Sequence, residues 1–166
     1  MRLKVWLNAV LFLMVAELAM SPAAHAQFSN PAAAPLSAMT VPQAQLLQPA
    51  ELAHMLNASG TEQQPLMLQT GSRIMFAQAH IRGSHYAGPG SQASGLELLE
   101  KAVAKAPKGK LIVIYCGCCP WNRCPNIGPA YRRLRDLGFT NVKALYLPNN
   151  FGDDWVAKGY PAASGE

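Results

Sequence analysis

A chain of 166 residues with a formal net charge of +5 has room for one domain's core, helices packed on a sheet, and no space for a second. Its basic residues are scattered except for Arg132, Arg133 and Arg135, which read as the solvated face of a predicted helix, so composition excludes a nucleic-acid-binding role. The mild positive balance favours small anionic substrates instead.

Arg2 and Lys4 precede an apolar stretch from Val5 to Met20, and Ala24-His25-Ala26 follows; this is the layout of a cleaved secretory signal over residues 1–26. The apolar run is short, contains Glu17 and ends in small residues, which argues against a membrane anchor. Removing Arg2, Lys4 and Glu17 takes away two positive charges and one negative, leaving +4. The mature chain is expected to be periplasmic or secreted, free of the membrane after cleavage, and exposed to an oxidising compartment. Residues 27–45, rich in Ala, Pro and Ser, read as a flexible leader, and residues 46–163 as the folded domain.

Within that domain "QPAELAHML" places a proline in a first helical turn and repeats Leu52, Met55 and Leu56 at helical spacing. "PLMLQT" suits a buried strand, Ser72 to Ala79 a brief helix, and "HIRGSHYAG" a short extended piece closed by glycines. "SGLELLEKAVAKAPKG" aligns Leu96, Leu99, Val103 and Ala106 on one helix face, stopped by Pro107 and Gly109. "KLIVIYC" is apolar at nearly every position, as a parallel strand covered on both faces requires. Ile127, Ala130, Tyr131, Leu134 and Leu137 share a helix face that Gly138 ends, "VKALYLP" makes a further strand, and "GDDWVAKGYP" a short closing helix. Alternating strands and helices predict an α/β fold, a parallel sheet with helices on both faces.

The four cysteines, Cys116, Cys118, Cys119 and Cys124, all lie in "CGCCPWNRC", immediately after the central strand. Ligands and reactive groups collect at such strand ends, and the amino end of the following helix lowers the pKa of a nearby thiol. Arg123 and Gly117 in the same loop are candidates to hold an anion or stabilise a thiolate. Three other uses of the thiols stand beside this one. Structural disulfides would close very short loops and stabilise little. A copper or zinc site suits clustered thiolates, but C-x-C-C-x4-C is not the paired spacing of common zinc modules, and His54, His80 and His85 show no ligand spacing. Dithiol redox chemistry suits the C-x-x-C of Cys116 to Cys119. No metal or cofactor is expected.

These pieces together resemble a rhodanese-type sulfurtransferase domain from about Gln48 to Pro161. "PAELAHML" is similar to the family's opening helix; "FAQAHIRGS" keeps Phe76, His80, Ile81 and Gly83 of its Phe-x-x-Gly-His-Ile-Pro-Gly-Ala pattern. "LIVIYC" resembles the strand that ends in the active cysteine, and "LRDLGFTNVKAL" with Trp155 and Gly159-Tyr160-Pro161 resembles the closing elements. The resemblance implies a persulfide at Cys116, formed from a small anionic donor such as thiosulfate, passed to a thiol or cyanide-like acceptor, and cradled by the loop's N–H groups. Cys119 or Cys124 would resolve it as a disulfide.

The sequence departs from the family pattern in several places. Gln69-Thr70-Gly71 stands for Asp-Val-Arg, Met75 for an acidic residue and Arg82 for a proline, and the loop is longer, so that Arg123 falls on time only when counted from Cys118. Cys118 is therefore the alternative nucleophile. His80 and Trp121 read as packed structural side chains, and Asp153 and Asp154 as first-turn acids of the last helix. Met14, Met20 and Met39 form no copper box.

Overall fold

The computed structural model describes residues 41–58, 60 and 64–165. The signal segment and most of the leader lie outside the described residues. The element order is β1 (Leu46–Leu47), α1 (Pro49–Ala58), β2 (Leu66–Gln69), α2 (Arg73–Gln78), β3 (His80–Ile81), β4 (His85–Tyr86), α3 (Ala93–Val103), β5 (Ile112–Tyr115), α4 (Ile127–Asp136), β6 (Val142–Leu145), α5 (Phe151–Asp154) and β7 (Ala162–Ala163). Single 3-10 turns occupy Gln43–Gln45, Trp121–Arg123 and Val156–Lys158.

Five strands form a parallel sheet in the order β1-β6-β5-β2-β4, while β3 and β7 pair antiparallel beside it. Every residue of β5 is buried, the physical reason its sequence shows no polar alternation. Burying each such side chain contributes roughly 1.5–3 kcal/mol. The two faces of β5 feed two cores. Ile112 and Ile114 pack with Leu99 and Val103 of α3 and with Ile127, Ala130 and Leu134 of α4. Val113 and Tyr115 pack with Leu52 of α1 and with Phe151 and Trp155 at the closing segment. The layered α/β architecture is thus as expected, with helices on both faces. The two-residue strands β1 and β7 are additions that no periodicity could announce.

The register places the end of β5 beside the end of β2: Gln69 pairs with Tyr115, and the Thr70 amide donates to the Tyr115 carbonyl at 2.7 Å. The closing segment locks from the other side. Trp155 is fully buried and its Nε1 donates to the Pro161 carbonyl at 3.0 Å. Asp154 accepts from the Asn149 and Asn150 amides at 2.7 and 3.1 Å, so both acids do sit in the first turn of α5. His80 stacks on Phe76 with ring centroids 4.0 Å apart, and its Nδ1 lies 2.8 Å from the Phe76 carbonyl, which makes it the packed histidine expected. Trp121 is buried, edge-on to Tyr146.

Candidate active site

Cys116 follows the last residue of β5, and the chain then has to leave the sheet within one residue. Gly117 makes that turn at φ 75°, its carbonyl accepting from the Phe151 amide at 3.0 Å. A Cβ on Gly117 would lie 2.6 Å from Phe151 Cβ, so the close approach of the two loops requires glycine. Further along, the Trp121 amide donates to the Pro148 carbonyl at 3.3 Å, and the 3-10 turn carries Cys124 back under the strand end.

The four thiols therefore meet. Cys116 Sγ and Cys118 Sγ are 2.9 Å apart, Cys118 and Cys119 3.5 Å, and the sulfurs of Cys116, Cys119 and Cys124 all lie within 4.8 Å of one another. Cys116 and Cys124 are buried, whereas Cys118 and Cys119 are half-exposed. Spacing along the chain speaks against a metal, but the 3-10 turn brings Cys124 back to Cys116, so the C-x-x-C of Cys116 and Cys119 meets a third sulfur without a second such pair.

The amide cradle expected around Cys116 is not formed there. The backbone amides at the start of α4, those of Asn126 and Ile127, donate to the Cys124 sulfur instead. The longer loop shifts the helix start past Cys116 and onto Cys124. What addresses Cys116 is a side chain that sequence reasoning passed over: Asn126 Nδ2 donates to Cys116 Sγ at 3.3 Å and stands 3.9 Å from Cys118 Sγ. Asn126 Oδ1 accepts from the Ser91 amide at 3.0 Å and the Ser91 hydroxyl at 2.8 Å, which fixes the amide's orientation and turns its donors towards the sulfurs. It stands just before α4, yet its side chain makes no capping bond there. The signal that could have found it is a polar amide two residues from Cys124 at a helix start.

Gln69 supplies a neutral brace where the family pattern has an acid. Its Nε2 donates to the Cys116 carbonyl at 3.2 Å and its Oε1 accepts from the Gly71 amide at 3.1 Å. Arg123 is exposed, at the end of the 3-10 turn, and its side chain is not among the groups that contact the thiol sulfurs.

The expected lowering of the thiol pKa is reversed. For Cys116 the largest influence, contact with Cys118, pulls it down, but contacts with Cys119 and Cys124 together with burial outweigh it and push the thiol far above its ordinary range. Cys118 is raised by Cys116 first and by burial. Cys124 is pulled down by Cys116 and by the two α4 amides, but Cys118 and burial raise it further. A second negative charge in so tight a group is what the surroundings resist. The surroundings of Cys116, Cys118 and Cys124 thus favour the protonated thiol over the thiolate.

Two larger cavities reach this cluster. One, of about 460 Å³, is lined by Ser72, Arg73, Ser91, Gln92, Cys118 and Asn126 among others. Arg73 there lies with its guanidinium 4.4 Å from the centroid of the Tyr86 ring. The other, of about 350 Å³, meets Cys116 and is bounded by Met75, Tyr115, Phe151 and Val156, with no cationic side chain.

No protein-family model matches the chain, and no curated protein matches it. Among solved structures, the crystal structure of the Alr3790 protein from Anabaena sp. is similar over 72% of this chain and 92% of that chain, with 20% identity and a TM-score of 0.54. The solution NMR structure of the rhodanese-like domain from the same protein is similar over 72% of this chain and 79% of that one, with 20% identity and a TM-score of 0.53. The chain thus has the rhodanese-like fold, a single α/β domain with a cysteine-rich loop at the end of its central strand.

Proposed function

We propose that the protein is an exported sulfurtransferase that receives sulfane sulfur from a small anionic donor of the thiosulfate type on Cys118 and passes it to a thiophilic acceptor. The observation that carries this is the Cys116–Cys118 pair, 2.9 Å between sulfurs, held under the Asn126 amide at the edge of a cavity lined by Arg73. Cys118 is the half-exposed member of the pair and lines the cavity that holds Arg73, so the receiving role moves to it from Cys116, the position the family resemblance favours. The Arg73 guanidinium and the serine hydroxyls of that cavity suit an anion, while the cavity at Cys116 has no cationic side chain.

In the first step the Cys118 thiolate attacks the outer sulfur of thiosulfate. A Cys118 S–S bond forms, the S–S bond of the donor breaks, and sulfite leaves with the electron pair, so that charge is conserved. Cyanide then takes the terminal sulfur as thiocyanate and returns the thiolate. Alternatively Cys116, protonated until then, attacks Cys118 Sγ, expelling hydrosulfide and leaving a Cys116–Cys118 disulfide that an external dithiol must reduce. Because the thiols are raised, the thiolate fraction and hence the rate are expected to climb with pH.

The test is thiocyanate formation from thiosulfate and cyanide by the reduced protein. Wild type is expected to turn over with a rate that rises above neutral pH, and Cys118→Ser to lose at least about 100-fold. Turnover that survives in Cys118→Ser but not in Cys116→Ser would return the nucleophile to Cys116; turnover in neither wild type nor variant would leave a non-catalytic domain.

A further inference from the structure

We propose that the other side of the same loop binds one soft copper(I) ion through Cys116, Cys119 and Cys124. Their three sulfurs lie within 4.8 Å of one another, and among the described residues no histidine or carboxylate joins the group. Sulfurs bound at about 2.3 Å to one centre stand about 4 Å apart in a trigonal arrangement, so closing the triangle requires shifts of less than an ångström. Between them lies a pocket of about 10 Å³ walled by Trp121, Ile127, Leu145 and Leu147, room for a single small ion.

The surroundings support the charge such a site would carry. Three thiols releasing three protons to take one Cu(I) leave a net charge of −2 on the centre. The Asn126 and Ile127 amides, which donate to Cys124, and Asn126 Nδ2, which donates to Cys116, face that charge directly. The amino end of α4, ten residues long, adds its dipole.

The donor set selects the ion. Thiolates favour Cu(I) and Zn(II), and zinc in structural sites takes four ligands in a tetrahedron. Cys118 does not offer the fourth: its sulfur is not among the three that converge, it does not line the small pocket, and its residue lines the Arg73 cavity on the other side. Three sulfurs and an apolar wall suit a monovalent soft ion. Copper on Cys116 would also withhold the thiol that resolves a Cys118 persulfide, so metal loading and the disulfide branch exclude each other.

The experiment is an anaerobic titration of the reduced full chain with Cu(I) against a chromophoric bicinchoninate competitor, with native mass as a second readout. One copper per chain is expected, with Cys119→Ser and Cys124→Ser each weakening it at least about 100-fold and Cys118→Ser changing it less than about threefold. Circular dichroism of each variant separates lost ligands from lost fold, and half-exposed Cys119 supplies the variant least able to disturb the core. Equal loss in Cys118→Ser, no retained copper in wild type, or zinc held on four sulfurs in preference to copper would each overturn the site. Cys118→Ser also separates the two readings, since it is expected to abolish thiocyanate formation while keeping the copper.

Discussion

The cysteine loop has two unlike sides. On one, Cys118 looks onto a cavity of about 460 Å³ with Arg73, Ser91 and Asn126. On the other, Cys116, Cys119 and Cys124 close on a pocket of about 10 Å³ walled by Leu145, Leu147 and Ile127. The same nine residues thus set one thiol beside a cavity with a cationic and several hydroxyl and amide side chains and three beside an apolar wall. What divides them is Gly117, whose positive φ reverses the chain between Cys116 and Cys118, and Asn126, whose amide reaches both sides.

The most damaging way to break this division is at the glycine. Gly117→Ala forces a strained φ and a 2.6 Å contact with Phe151 Cβ, and is expected to lower stability by about 3 kcal/mol, read as a fall in urea midpoint at unchanged slope. An unchanged midpoint would mean the loop tolerates another path.

A pH series separates the thiols from the strand that carries them. Tyr115, on the opposite face of β5, has its phenol pushed by burial up to about 12 from 10.0, against the pull of its hydrogen bonds to Ser84 and the Ile81 amide. A raised folded-state pKa keeps its full contribution below the unfolded value and loses it as pH climbs through the folded one. Between pH 10 and 12, then, roughly 2–3 kcal/mol of stability should disappear, and Tyr115→Phe should show no such loss in that window. Cys116, Cys118 and Cys124 are raised as well, so the reduced protein should begin to weaken earlier, above the ordinary thiol value of 9.0. Adding an oxidant that pairs the thiols should remove that earlier part alone.

Asn126 tests whether one side chain serves both sides. Asn126→Ala removes the donor to the sulfurs and leaves the Ser91 amide and hydroxyl without their acceptor, costing about 1–2 kcal/mol of stability and slowing sulfur uptake roughly tenfold. Asn126→Asp keeps the Ser91 contacts but sets a carboxylate beside the thiols. It should move the pH–rate profile further to the alkaline side with the fold retained, a shift that a purely structural asparagine would not produce. The smallest effect belongs to Arg73→Gln, expected to raise the KM for thiosulfate about threefold with little change in kcat.

The sheet was legible in the sequence because burial writes itself into composition: β5 is apolar throughout and is buried throughout, and the face of α4 built from Ile127, Ala130, Tyr131 and Leu134 is the buried one. The short pairings of β1 and β7 were not, since two residues carry no period. Within the site, the cysteines and the strand end could be read, but not which sulfur the helix amides reach. That depends on where the longer loop sets down the start of α4, and it does so with the Asn126 and Ile127 amides on Cys124. Likewise Gln69 marked only a missing acid, whereas its amide satisfies the Cys116 carbonyl and the Gly71 amide at once, without charge.

The measurement closest to the central claim is the location of the first sulfur. Reduced protein would be pulsed with thiosulfate at pH 8, its remaining thiols alkylated, and the adduct of about 32 Da mapped by peptide mass spectrometry. The division of the loop described above places it on Cys118. An adduct found first on Cys116, Cys119 or Cys124, the three thiols that line the apolar pocket, would contradict it.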